Sequence, residues 1–367
     1  MDGHITRLME HMVQADASDM YITPGVPIML RINDDLKPIP EYAMMSTETV
    51  WRIVESILNE RQLAEFKMFN EMNMGFGLHG LGRFRVSVLQ QRQAPTLVIR
   101  SIKKNIPAFE TLGLPNNVRD TVMSKRGIII LCGMTGSGKS TTLASMLDYR
   151  NETTPGNIIT IEDPIEYLYE HKKSLVIQRE IGIDTESYHI ALKNAFRQKP
   201  DVILIGEIRD RIVMEQALVA AETGHLCLST VHANNTYQAI ERMLNFFDEK
   251  QMAQARMNLA MNLRAIIAQR LVTGTDGQRV LVYEVLLNEG YIKELIHKGE
   301  TNKIREVIAQ NVSNGMITFD QTLQILYEQG KISAEVAIAE SDIPVNMELL
   351  IRKQKIATSF APIPQKV

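Results

Sequence analysis

The sequence predicts an α/β chain built around a parallel sheet that helices cover on both faces. Three observations predict it. Beyond residue 116, short apolar runs alternate with stretches of helical period. One of these runs, residues 128–131, empties into a glycine-rich turn that opens a helical pattern. The composition, 45% hydrophobic and 23% charged over 367 residues, supplies enough apolar side chains for real cores in two or three domains.

The first hundred residues read as a mixed α/β domain. Ile5, Leu8, Met9 and Met12 share one helical face. Residues 20–22 and 28–32 have the character of strands, with Asn33-Asp34-Asp35 as the turn after the second. Ser46 is placed to cap a helix that carries Val50, Ile53, Val54, Ile57 and Leu58 on one stripe. After the turn at Gly80-Leu81-Gly82, Phe84, Val86 and Val88 alternate with Arg83 and Arg85, so the arginines share one strand face. A further strand, residues 96–99, ends at Arg100. On these residues alone, the arginines equally suit a solvated edge strand whose charges discourage aggregation.

Residues 103–115, with Pro107, Gly113 and Pro115, read as a linker. The strands of the parallel sheet are expected at 128–131, 158–161, 202–205 and 226–231. Helices are expected at 141–149, 188–197 and 212–222, the last ended by Gly224. Met257, Met261, Leu263, Ile266 and Ile267 fit a largely buried helix, followed by a turn at Thr275-Asp276-Gly277 and a strand at 280–287. Phe319, Leu323 and Leu326 continue a small helical bundle, Ser333 opens another helix, and residues 353–367 read as a disordered tail. The 20 methionines are taken as core filler.

The glycine-rich turn carries the first chemistry. Gly133, Met134, Thr135, Gly136, Ser137, Gly138, Lys139, Ser140 and Thr141 have the spacing of a phosphate-binding loop. The glycines let the backbone turn its N–H groups inward, and the positive end of the next helix faces the same point. Lys139 is then placed to reach the β- and γ-phosphates, and the Ser140 hydroxyl to ligate Mg²⁺. ATP and Mg²⁺ are the expected ligands.

Three further clusters fall at expected strand ends. Glu162, Asp163 and Glu166 surround Pro164 in a turn, where carboxylates position a metal or polarise attacking water. Glu207 ends the run Ile203-Leu204-Ile205-Gly206, with Gly206 where many nucleotidases carry an aspartate. His232 ends the run at Ser229-Thr230-Val231, where a γ-phosphate sensor is expected. Singly, each has a plainer reading as a helix cap or a structural histidine. Together, behind a phosphate loop, they read as one site, and which of Glu162, Glu166 and Glu207 is the base stays open.

Bulk properties exclude some classes. A net charge of −3 offers no general attraction to nucleic acid. No apolar run reaches the roughly 18 residues a membrane span requires. The N-terminal stretch lacks the apolar core of a signal peptide. The two cysteines, Cys132 and Cys227, sit in apolar runs and read as buried thiols in a reducing compartment. A cytoplasmic protein is expected, reaching any membrane through a partner.

Four segments, GMTGSGKST, TIEDPIEY, DVILIGEIRD and ETGHLCLSTVHANN, resemble in order the Walker A, Asp box, Walker B and His box of the secretion ATPases. The likeness runs from the first helix to about residue 350, and within that superfamily it is nearest the PilT/PilU family of type IV pilus retraction ATPases. GRFRVSVLQQ is similar to the arginine strand of that family's N-terminal domain, and QREIGIDT, ALKNAFRQKPDV and YEVLLNEG are similar to its PilU branch. Where PilT proteins carry a C-terminal AIRNLIRE segment, this sequence reads YIKELIHK from Tyr291.

The resemblance implies a PAS-like N-terminal domain over residues 1–102, a linker over 103–115, a RecA-like ATPase domain over 116–287, a C-terminal helical region over 288–350 and a tail over 351–367. It further implies a homohexamer that works with a PilT-type ATPase on an inner-membrane platform protein. By the same carry-over, Glu166 is the catalytic glutamate, Glu207 the Walker B acid and His232 the His-box histidine. Arg83, Arg85 and Arg100 are the arginines that face nucleotide. Two rival readings remain open. One is a pilus extension or type II secretion ATPase, which generally carries a four-cysteine zinc motif. The other is a partner ring for PilT that hydrolyses little.

Overall fold

A computed structural model of the chain describes residues 3–33, 35–102 and 105–359. Asp34 of the expected turn, Lys103 and Lys104 of the expected linker, and residues 360–367 of the expected tail lie outside the described residues. The chain divides into two units, Met1–Ile106 with Ile165–Tyr169, and Pro107–Pro164 with Glu170–Val367.

The first unit opens with α1 (Gly3–Gln14), followed by β1 (Asp19–Ile22), β2 (Met29–Ile32) and β3 (Asp35–Pro38). Then come α2 (Thr47–Ile57), α3 (Glu60–Phe69), β4 (Glu71–Leu78), β5 (Gly82–Gln91) and β6 (Ala94–Ile102). The six strands form one sheet in the order β3-β2-β1-β6-β5-β4, every pair antiparallel. The expected stripes meet in one core: Ile5, Leu8, Met9 and Met12 of α1 and Val50, Ile53 and Val54 of α2 pack with Phe84, Val86, Val88, Leu97 and Ile99 of the sheet. Ser46 caps α2 as expected, its side chain accepting a hydrogen bond from the Thr49 N–H at 3.1 Å. Sequence patterning missed α3 and β4. An Asn59/Gln62 capping box starts α3 and a left-handed Asn70 ends it, both readable local signals.

The edge-strand reading of Arg83 and Arg85 fails. β5 lies between β6 and β4, so the arginines occupy an interior strand, on the face opposite Phe84, Val86 and Val88.

The second unit holds α4 (Asn116–Thr121), β7 (Gly127–Cys132), α5 (Lys139–Thr153), β8 (Gly156–Glu162), β9 (Ser174–Glu180), α6 (Tyr188–Ala195), β10 (Val202–Ile205), α7 (Arg211–Glu222) and β11 (Leu226–Val231). It continues through α8 (Thr236–Leu244), α9 (Glu249–Asn262), β12 (Leu263–Thr273) and β13 (Arg279–Leu287). Helices α10 (Tyr291–Lys298), α11 (Ile304–Gln310), α12 (Phe319–Glu328), α13 (Ala334–Glu340) and α14 (Pro344–Ser359) complete it. The sheet order is β13-β12-β7-β11-β10-β8-β9, parallel throughout except for antiparallel β13. Every residue of β7, β10 and β11 is buried, which accounts for their unbroken apolar runs.

Three expectations need correction. The helix expected through Ile267 stops at Asn262, and Leu263–Thr273 is a strand paired in parallel with β7. A buried apolar run with adjacent Ile266 and Ile267 is ambiguous by period, and tertiary pairing decides for extended chain. Met257 and Met261, placed on the buried side of that helix, are exposed. The methionines are not all filler either, since Met44, Met68 and Met134 are largely exposed while Met9, Met12 and Met20 are buried. Helix α14 also runs through Ser359, into the stretch read as tail.

Candidate nucleotide site

Because β7, β8, β10 and β11 run parallel, their carboxyl ends share one edge of the sheet, and the phosphate loop, Glu162, Glu207 and His232 all follow from that edge. The loop leaves β7 with Gly133, Gly136 and Gly138 all at positive φ, conformations that side-chain-bearing residues rarely adopt. Gly133 has a second reason to be glycine. A Cβ there would run into the Gln269 carbonyl of β12 and come within 2.5 Å of Ser137 Oγ. Lys139 begins α5, and its Nζ donates to the Gly133 and Met134 carbonyls at 2.9 and 2.8 Å, so the ammonium is held inside its own loop. The buried Ser137 hydroxyl has no hydrogen-bond partner among the described residues, an orphaned donor of the kind a bound phosphate satisfies. Behind the loop, the Gln269 amide donates to Thr142 Oγ1 at 2.8 Å and ties α5 to β12.

The acids occupy distinct settings. Glu162 is buried at the end of β8 and accepts from Thr160 Oγ1 at 2.6 Å and from Gln178 Nε2 at 3.3 Å. Glu207 sits beyond β10, with one oxygen 3.1 Å from His232 Nε2 and the other accepting from Arg209 Nε at 2.7 Å. That bond raises the guanidinium's affinity for its proton. Arg209 also reaches Asp163 at 3.2 Å. Glu166 lies in the Ile165–Tyr169 segment, which clusters with the first unit.

Gly206, in the place of an expected aspartate, has a steric cause. A Cβ at 206 would lie 2.9 Å from the Tyr188 hydroxyl and 3.3 Å from Glu162 Cα. The first residue of α6, Tyr188, was not picked out from the sequence. Burial, then Asp163, pushes its phenol up, so it stays a neutral O–H beside Glu162, Asp163 and Glu207. Between the phosphate loop and α8 opens a cavity of about 340 Å³, lined by Gly133, Met134, His232, Asn234, Glu241 and Arg242 among others.

The remaining candidates lie in the first unit. Arg85 and Arg100 stand directly opposite each other on β5 and β6, and Arg83 is opposite Ile102. Arg100 Nε also donates to buried Asp19 at 2.7 Å. Both cysteines are buried and free, as expected. No helix among the described residues is long and apolar enough to cross a membrane.

A parallel sheet with a phosphate loop after a central strand, and acids and a histidine along the same edge, defines a RecA-like P-loop ATPase. The sequence pattern described as "Type II/IV secretion system protein" matches residues 2–337. The chain is 45% identical over 347 residues to the type IV pilus ATPase PilU of Pseudomonas aeruginosa, covering 94% of this chain and 91% of that one. It is 36% identical over 342 residues to that organism's retraction ATPase PilT, covering 93% and 99%. A crystal structure of the pilus retraction motor PilT with bound ADP superposes with a TM-score of 0.88 at 39% identity, covering 94% of this chain and 99% of that one. The chain therefore belongs to the type II/IV secretion system protein family and, within it, to the PilT and PilU ATPases.

Proposed function

We propose that this ATPase is an accessory retraction motor of the type IV pilus, of the PilU kind, and that it works with a PilT-type ATPase to depolymerise the pilus and power twitching motility. The observation that carries this reading is the 45% identity to PilU across 94% of the chain. The site geometry supports a working hydrolase, because Lys139 is held at the phosphate loop and Glu207 is oriented by His232 and Arg209. In this reading six copies make a ring on the cytoplasmic side of the inner membrane, held there through the platform protein of the pilus machine.

ATP is held by Gly133–Thr141, with Lys139 on the β- and γ-phosphates. The oxygen donors suit Mg²⁺, a hard cation that keeps waters and takes few protein ligands: the Ser140 hydroxyl would hold it and Glu207 would orient its water. When bound, the ion neutralises charge developing on the phosphates. Glu166 acts as the base on attacking water, with Glu162 and Glu207 as the other acids of the site. His232 senses the γ-phosphate, and Arg83, Arg85 and Arg100 are the arginines presented to nucleotide. The domain assignment follows the family: 1–102 PAS-like, 103–115 linker, 116–287 ATPase and 288–350 C-terminal helices.

The test is steady-state ATP hydrolysis by the full-length chain, alone and with a PilT-type ATPase, beside pilus retraction in cells that lack this protein. Hydrolysis together with retraction that weakens under load is expected. No hydrolysis under either condition would support a passive partner ring instead. Loss of surface pili in the deletion strain would support an extension motor.

A further inference from the structure

The turn that follows His232 is anchored from below by two residues that sequence reading did not single out. Glu284 of β13 is 1% exposed, and one of its oxygens accepts from the Thr236 N–H at 2.9 Å and from Thr236 Oγ1 at 2.7 Å. Thr236 is the first residue of α8, so this buried carboxylate caps a helix N-terminus whose leading amides have no partner within their own helix. Burial acts first, raising the pKa of this carboxyl, and the Thr236 bonds work against it.

The second anchor is Arg270 of β12. Its guanidinium donates to the Glu340 carbonyl at 2.7 Å and to Asp342 at 2.7 Å, and it reaches the Asn234 carbonyl at 3.5 Å. It also lies 4.0 Å from the centre of the Phe319 ring. Asp342 is itself fixed, since its N–H donates to Asp320 at 2.8 Å, and Asp320 takes the Ser341 hydroxyl and Arg305 as well. Two separate supports thus meet at the turn after His232: Arg270 joins Glu340 and Asp342 to the Asn234 carbonyl, and Glu284 holds Thr236 from β13, while His232 itself lies 3.1 Å from Glu207.

We propose that Arg270 and Glu284 are positioning residues for ATP hydrolysis: they seat the Asn234–Thr236 turn, and with it His232, on the C-terminal helices, so the packing of those helices sets the turnover rate. This rests on the reading of His232 as part of the hydrolytic site. It makes the C-terminal helices a control input to the ATPase, because whatever shifts Asp342 shifts the histidine. A strut that only held the fold together would act on stability and not selectively on turnover.

The experiment is a double-variant cycle on the full-length protein with Asp342→Ala, His232→Ala and both together, measuring kcat, KM for ATP and the melting temperature. Asp342 is distant in sequence from the phosphate loop, and its removal leaves the buried sheet positions intact. We expect Asp342→Ala to lower kcat about tenfold, as a small misplacement of a reacting group does, with KM within about twofold of wild type. Asp342→Glu should restore part of the loss. The double variant should be no slower than the slower single one, because both act through one histidine. Additive losses would overturn the coupling and leave His232 a site residue. Wild-type turnover in Asp342→Ala, or a kcat loss matched by a collapse in melting temperature, would overturn it too. Wild-type turnover in His232→Ala would overturn the coupling together with the reading of the site beneath it.

Discussion

His232 Nε2 stands 3.1 Å from one oxygen of Glu207, while Arg209 Nε holds the other at 2.7 Å. With both oxygens engaged, the carboxylate is oriented before nucleotide arrives. Glu207→Gln keeps the shape and removes the charge. It should lower kcat about 10²-fold with little change in nucleotide affinity, the scale a positioned acid–base group contributes. Single-turnover hydrolysis and equilibrium binding of a fluorescent ATP analogue measure the two effects separately.

The ammonium of Lys139 sits against the Gly133 and Met134 carbonyls of its own loop. Those contacts must give way to phosphate oxygens when ATP binds. Lys139→Ala should therefore weaken ATP binding by about tenfold or more, since a charge-assisted contact is lost. Calorimetric titration with a non-hydrolysable analogue reads this directly, and undiminished affinity would count against the loop.

Gly206 is enclosed by the Tyr188 hydroxyl and the Glu162 backbone. Gly206→Ala should destabilise the second unit by about 1–3 kcal/mol, the usual range for overpacking. In a Tyr188→Phe background the 2.9 Å obstruction is gone and the next atom lies at 3.3 Å, so the penalty should shrink. Denaturant unfolding of the single and double variants tests the pair.

Arg83 occupies an interior strand, not a solvated edge. If it serves nucleotide as the family resemblance implies, Arg83→Ala should retain ATP binding and lose turnover by about 10³-fold, the lower end for an arginine presented to the γ-phosphate. A variant that turns over at the wild-type rate removes this strand from the chemistry.

Both cysteines are fully buried, and burial pushes the Cys227 thiol up to about 12 and raises Cys132 as well. At pH 8 a thiol with that pKa is ionised to only about one part in 10⁴, and the thiolate is the reactive form. Native protein should resist iodoacetamide at pH 8, and denatured protein should take up two labels. Mass spectrometry distinguishes the outcomes.

How much of this was readable in the residues depends on range. The phosphate loop was legible because glycine spacing encodes backbone conformation locally, and Gly133, Gly136 and Gly138 do adopt positive φ. The strands leading to Glu162, Glu207 and His232 were legible because wholly buried parallel strands are unbroken apolar runs. The strand after Asn262 was not, since an apolar run of that length suits helix or strand until β7 claims it as a neighbour. Glu284 and Arg270 escaped notice because their partners, Thr236, Glu340 and Asp342, lie about 50–70 residues away in sequence. Nothing local marks a carboxylate that caps a distant helix. Tyr188 was hidden for a related reason: its place over Gly206 follows from where α6 lands on the sheet.

The facing pair Arg85 and Arg100 has one more implication. Like charges set abreast on neighbouring strands repel, and Asp19 offsets only one of the two. Among the described residues that repulsion is eased on the Arg100 side, by Asp19. An anion lying against both guanidiniums would ease it on the Arg85 side as well, and glutamine at either position would remove both the repulsion and the attraction for such a group.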